Sequence, residues 1–113
     1  MSQSKELVAA SATPLILSIL SRGESYGYAI ILELRNLSDE EIQWTDGMLY
    51  PVLRRLEKQG MIRSEWRIGD TGRRRRYYQI EKPGKEQLKE HKRQWTITNR
   101  VLCRLWKEVP CST

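Results

Sequence analysis

Three patterns in the chain predict a mainly helical domain that carries one small β-hairpin and ends in a long helix. Over residues 45–60, Leu49, Val52, Leu53 and Leu56 recur at i, i+3, i+4 and i+7, the stripe of an amphipathic helix. Beyond Gly60 the period falls to two, with Ile62, Ser64, Trp66 and Ile68 on one face and Arg63, Glu65 and Arg67 on the other. From Pro83 onward, Leu88, Trp95, Leu102 and Val109 repeat every seven residues. A chain of 113 residues, 39% hydrophobic and 30% charged, has the length and composition of one globular domain.

Taken in order, residues 2–12 have weak helical patterning around Leu7 and Val8. Thr13-Pro14 then reads as an N-cap and a proline at the first helical position. A firm helix is expected from there, or the continuation of an earlier one with a kink. Leu15, Ile16, Ile19 and Leu20 face inward and Arg22-Gly23 closes it. Ser25 marks the next start, and Tyr26, Ile30, Ile31 and Leu34 supply an apolar face through about Leu37. Gly27 in that first turn costs about 1 kcal/mol of helix propensity relative to alanine, a cost consistent with a close approach of a neighbour or a phosphate. The polar stretch 38–43 leads into Ile42 and Trp44, read as a very short strand or an extended lead into the next helix, with Trp44 assigned to the core.

The helix over residues 45–60 has marked ends. Thr45 suits the N-cap, Asp46 the positive end of the dipole, and Gly60 a left-handed stop. Its outer face carries Gly47, Pro51, Arg54 and Lys58, with Tyr50 and Arg55 at the flanks. Pro51 forfeits a backbone bond inside the helix, so a bend or a tight first turn is expected there.

Residues 62–68 form a strand, Gly69-Asp70-Thr71-Gly72 a turn, and Arg76, Tyr78 and Ile80 alternate with Arg75, Tyr77 and Gln79 to return as a second strand. Three helices followed by such a hairpin are the winged helix-turn-helix plan, whose later helix enters the major groove of DNA. Charge agrees with that plan. Residues 1–44 hold three basic and six acidic groups, residues 45–80 nine and four, and residues 81–113 eight and four, for a net charge of +6. The excess sits on the middle third, and Arg73-Arg74-Arg75-Arg76 concentrate it beside a glycine turn, where arginine forks suit phosphate oxygens. The alternative for the wing is a solvated edge that blocks strand pairing.

The last helix, of some 25 residues, has an apolar stripe widened by Thr98, Val101, Leu105 and Trp106. That stripe outruns the small winged domain, so the helix is read as a dimerisation element with Leu88, Trp95, Leu102, Leu105, Trp106 and Val109 at the interface. The resulting division is a DNA-binding domain at 1–82 and a dimerisation helix with a short tail at 83–113. A two-fold dimer would meet a pseudo-palindromic site.

Catalytic and metal chemistry find no pattern. His91 is the lone histidine and has no nucleophile-plus-carboxylate neighbourhood, Cys103 and Cys111 lack the paired spacing of a zinc site, and no phosphate-binding glycine loop is present. No metal, cofactor or enzymatic activity is therefore expected. Both thiols are expected to be reduced, with a redox switch as the minor reading. The longest apolar run, residues 15–20, is too short to span a bilayer, and residues 1–11 do not resemble a signal peptide, so a cytoplasmic protein is expected.

The chain resembles the PadR family of bacterial transcriptional regulators, in its short form with a single C-terminal helix. The resemblance is carried by Tyr26-Gly27-Tyr28-Ala29-Ile30, the run from Gly47 to Glu57 containing Leu49-Tyr50-Pro51 and Arg54-Arg55-Leu56, Gly60-Met61-Ile62, Gly72 to Tyr78, and Gly84 with Leu88. It covers about residues 12–106. The resemblance implies a homodimeric repressor of its own or a neighbouring promoter, relieved by a small molecule or stress signal. It also implies DNA-contact roles for Gly47, Tyr50, Pro51 and Arg73 to Arg75. With the outer face of the central helix, the expected contact set is Thr45, Gly47, Met48, Tyr50, Pro51, Arg54, Lys58, Arg73, Arg74 and Arg75. Met48 departs from the hydroxyl residue usual in the family, and Glu81 from the usual capping threonine. Some family members hold planar aromatic compounds between dimer helices, a role that would fall on Trp95 and Trp106, with dimer-core packing as the other reading. A protein-interaction adaptor that uses the winged fold and the long helix without specific DNA binding is the alternative.

Overall fold

The computed structural model describes residues 4–107. Its elements are α1 (Lys5–Ser21), β1 (Ser25–Tyr26), α2 (Gly27–Leu37), α3 (Asp46–Lys58), β2 (Ile62–Ile68), β3 (Arg74–Ile80) and α4 (Lys82–Trp106). The three strands form one antiparallel sheet in the order β1-β3-β2. The winged helix-turn-helix plan is thus present, with one strand more than the sequence predicts.

At α1 the second of the two readings holds, a helix that continues from an earlier start, and at α2 the boundary differs from expectation, each for an identifiable reason. Helix α1 starts at Lys5, where the Leu7 N–H donates to the Ser4 hydroxyl at 3.2 Å, and it runs through Pro14. Thr13 caps nothing; its hydroxyl accepts from the Arg55 guanidinium at 2.7 Å. The lost Pro14 backbone bond is outweighed by burial of Ala12, Ile16, Leu17, Ile19 and Leu20, which places α1 in the middle of the core. Ser25 and Tyr26 do not open a helix. They pair with Tyr78 and Tyr77 on the outer edge of β3, the Tyr26 ring lies edge-on to Tyr77 at 5.4 Å, and α2 begins at Gly27.

Helices α1, α2 and α3 share one core with Trp44, Ile62, Tyr78 and Leu88. Leu49, Leu53 and Leu56 are buried as the helical stripe demands, and Val52 packs at its margin. Thr45 occupies the N-cap without a side-chain bond; its carbonyl accepts from both Met48 (3.1 Å) and Leu49 (3.0 Å), which makes the first turn tight, and the helix continues through Pro51. At the other end the Gly60 N–H donates to the Glu57 carbonyl and the Met61 N–H to the Leu56 carbonyl, each at 3.0 Å. With Gly60 at φ +75° this is a Schellman stop, and it aims the chain directly into β2.

Helix α4 leaves that corner without a side-chain cap, because the Glu81 carboxylate pairs instead with Arg63 at 3.0 Å. The Met61 carbonyl accepts the Glu81 N–H at 2.8 Å and lies so close to Gly84 that a Cβ there would stand 2.2 Å from it. Leu88 is 5% exposed and belongs to the chain's own core, which corrects its assignment to an intersubunit interface. Past it, α4 departs from the domain: Trp95, Ile97, Val101 and Trp106 are exposed, Leu105 is 71% exposed, and Leu102 is half-buried. Cys103 is buried, and Val109 and Cys111 lie outside the described residues.

Candidate nucleic-acid interface

The hairpin folds over the front of α3 and leaves an open cleft of about 800 Å³ between them, closed at one end by the start of α2. Its walls carry Tyr50, Arg54 and Glu57 from α3, Tyr26, Gly27 and Tyr28 from β1 and α2, and Trp66, Arg73, Arg74, Arg75, Arg76 and Tyr78 from the wing. The cause is local. Alternation on β2 and β3 pairs Trp66 with Arg76 and Ile68 with Arg74, so apolar and cationic side chains meet on the face turned to α3.

The wing arginines have separate environments although they are consecutive. Arg74 lies 5.0 Å over the Trp66 ring, and Arg75 lies 4.5 Å over Tyr26 on the strand's other side. Such stacking desolvates one face of the guanidinium and leaves its edge N–H groups outward. Arg76 is held by Ser64 and Glu57. Among the described residues no carboxylate pairs with Arg54, Arg73, Arg74 or Arg75. The cleft is therefore a concentration of uncompensated cations on a rigid floor, which is an attractor for a polyanion.

On the reverse of the wing, Arg75 apart, the charges are matched. Arg67 bridges Glu24 and Glu65 and lies 4.9 Å over Tyr77, while Gln79 donates to Glu24 at 2.7 Å. Hydrogen bonds from Arg67 and then Gln79 hold the Glu24 carboxyl below the usual carboxylate range, and hydrogen bonds to Glu24 and then Glu65 raise the Arg67 guanidinium above its ordinary value. Burial raises the Tyr78 phenol, which lines the cleft, above its ordinary value.

Of the residues singled out from the sequence, Tyr50, Arg54, Arg73, Arg74 and Arg75 are brought together in the cleft. Thr45, Gly47, Met48, Pro51 and Lys58 are exposed on α3 outside its walls. Arg55 is turned away toward Thr13. Sequence reasoning missed Tyr28 (65% exposed) and Trp66 (56% exposed), whose exposure beside cations no periodicity encodes, and it did not foresee Glu57 inside the cleft. The tight turn at Gly27 has a specific neighbour: a Cβ would meet the Tyr50 hydroxyl at 2.6 Å, so Tyr50 packs over the start of α2 because residue 27 has no side chain.

Comparison with known proteins agrees with the fold. Residues 16–90 match the Transcriptional regulator PadR-like family model. A protein of Lysinibacillus sphaericus described as uncharacterized is 31% identical over 88 residues, covering 78% of this chain and 81% of that one. Among solved structures, a transcriptional regulator from Clostridium thermocellum is 33% identical with a TM-score of 0.79, over 88% of this chain and 97% of its own. A PadR family transcriptional regulator from Eggerthella lenta is 35% identical with a TM-score of 0.73, over 92% and 88%. A PadR-like transcriptional regulator from Bacillus cereus is 28% identical with a TM-score of 0.80, over 93% and 100%.

Proposed function

The chain belongs to the PadR-like family of transcriptional regulators, and from that premise we propose that it is a homodimeric repressor that binds duplex DNA through the α3–wing cleft and releases it on a small-molecule or stress signal. Regulation rather than catalysis is the business of this family. The observation that carries the reading is the cleft itself, where Arg54, Arg73, Arg74 and Arg75 face outward without a carboxylate partner among the described residues. In this reading residues 1–82 engage DNA and residues 83–113 pair the subunits. The outer face of α3, with Thr45, Gly47, Met48, Pro51 and Lys58, enters the major groove, and Tyr50, Arg54 and the wing arginines contact the flanking phosphates. Among the described residues no helix is long and apolar enough to cross a membrane, which fits a cytoplasmic site of action.

The exposed stripe of α4 supports dimerisation, now through Trp95, Leu102, Leu105 and Trp106 without Leu88, and with Val109 beyond the described residues. Trp95 also edges a cavity of about 330 Å³ lined by Pro14, Leu15, Leu88 and His91. That size and its apolar lining suit a planar aromatic effector stacked on Trp95, with Trp106 about three turns further along the helix. Dimer and operator are tested together. The protein should protect two half-sites about one helical turn apart upstream of its own gene, and W95D/L105D should sediment as a monomer and protect neither fully. A wild-type monomer, or a single asymmetric footprint, would remove the dimeric part.

Gly27→Ala separates Tyr50 from the fold. The clash is with the far end of a flexible side chain, and alanine recovers about 1 kcal/mol of helix propensity, so thermal stability should stay nearly constant. DNA affinity should fall about fivefold as the displaced Tyr50 loses one hydrogen bond, roughly 1 kcal/mol. Unchanged affinity in a titration would take Tyr50 out of the interface.

A further inference from the structure

One arginine of the wing is already occupied, and its partner is an acid inside the cleft. The Arg76 Nε–H donates to the Ser64 hydroxyl at 2.7 Å, that hydroxyl donates to Glu57 Oε2 at 2.7 Å, and a terminal Arg76 N–H donates to Glu57 Oε1 at 3.2 Å. The three side chains close a ring across α3, β2 and β3. Arg76 also lies 5.9 Å from the Trp66 and Tyr78 ring centres, so its guanidinium is confined on the sides the ring leaves open. Glu57 is the acidic residue lining this cleft, where a carboxylate opposes an approaching phosphate.

We propose that Glu57 is a specificity-determining residue: by engaging Arg76 through the Ser64 ring, it withholds that cation from the phosphate backbone and fixes the base of the wing against the recognition helix. A phosphate contact by arginine adds affinity to every sequence alike, so an extra one narrows the gap between operator and random DNA. Holding Arg76 in the ring keeps affinity dependent on the residues that read the site. The inference rests on the DNA-binding reading above, but on a different quantity from the one that tests it.

The test is a double-mutant cycle with Glu57→Gln and Arg76→Ala, each titrated against operator-containing and scrambled duplexes over a range of salt. With Glu57→Gln, affinity for the scrambled duplex should rise about fivefold near 0.1 M salt, the salt dependence should steepen by about one released counterion, and the operator-to-scrambled ratio should fall. In the Arg76→Ala background the same Glu57→Gln change should leave the salt slope unaltered, because no cation is left to release. An equal steepening in both backgrounds would reduce Glu57 to simple repulsion and overturn the proposal. So would a loss of affinity for both duplexes with an unchanged slope, the signature of a structural role; thermal unfolding of each variant identifies that case directly. A wild-type protein that makes no distinction between the duplexes would count against the DNA-binding reading itself, whatever the slopes of the variants.

Discussion

Replacing Arg73, Arg74 and Arg75 together with alanine is expected to lower affinity for duplex DNA by at least about 100-fold, on operator and scrambled sequences alike. The magnitude follows from charge-assisted contacts worth roughly 1.5–3 kcal/mol each, so two that reach phosphate suffice. The slope of log affinity against log salt should flatten by about two to three units as those counterions are no longer released. Stability should change little, because none of the three is ion-paired among the described residues and only Arg74 and Arg75 forgo an aromatic contact. Those exposed stacks are worth about 0.5–1 kcal/mol each. Titration at several salt concentrations beside thermal unfolding checks both halves. Retained affinity would make the wing a solvated edge.

Gly84→Ala should be strongly destabilising, although it adds one methyl group. Its Cβ would stand 2.2 Å from the Met61 carbonyl oxygen, 3.1 Å from the carbonyl carbon and 2.9 Å from Ile80 Cγ1. Two of these neighbours are backbone, fixed by the Schellman stop at Gly60 and by the Glu81 N–H bond to the same oxygen. Nothing there is a flexible side-chain end, so α4 must move off the sheet and draw Leu88 out of the core. Overpacking of this kind costs about 3 kcal/mol or more, against a total stability of roughly 5–15 kcal/mol. A fall in Tm of roughly 10–20 °C is expected for a domain of this size. A fall of a degree or two would mean that the corner between α3, β2 and α4 yields more easily than its hydrogen bonds imply.

The contrast between these two changes reflects what was legible in the sequence. Helix α3, the hairpin and α4 each announce themselves through a period and marked ends: Gly60 stops α3, Gly72 turns the hairpin, and Pro83 stands in the first turn of α4. The beginning of α1 was legible only as one of two readings, because Thr13-Pro14 carries a genuine start signal that burial of Ile16 to Leu20 overrides. Strand β1 is two residues long, too short for any alternation to register, and exists because β3 offers it an edge. Heptad spacing placed Leu88 and Trp95 on the same stripe but could not separate a residue buried in the chain's own core from one left exposed.

The site divides in the same way. Its basic character and its central helix are visible in the composition of residues 45–80, where nine cations meet four acids. The partition among the four adjacent arginines is not, since Arg76 is set apart from Arg74 by Ser64 on β2 and by Glu57, 19 positions away on α3. Gly27 could be read as a close approach, but that Tyr50 is what approaches needed the packing of α2 on α3.

The account stands most directly on one titration: wild-type protein against duplex DNA from upstream of its own gene, beside a scrambled duplex, at two salt concentrations. Preference for the upstream duplex, with affinity falling steeply between the two salts, is the result expected of a regulator that uses the cleft and the wing on DNA. Equal and weak binding to both duplexes would contradict it, and would turn attention to a protein partner for the winged fold and α4.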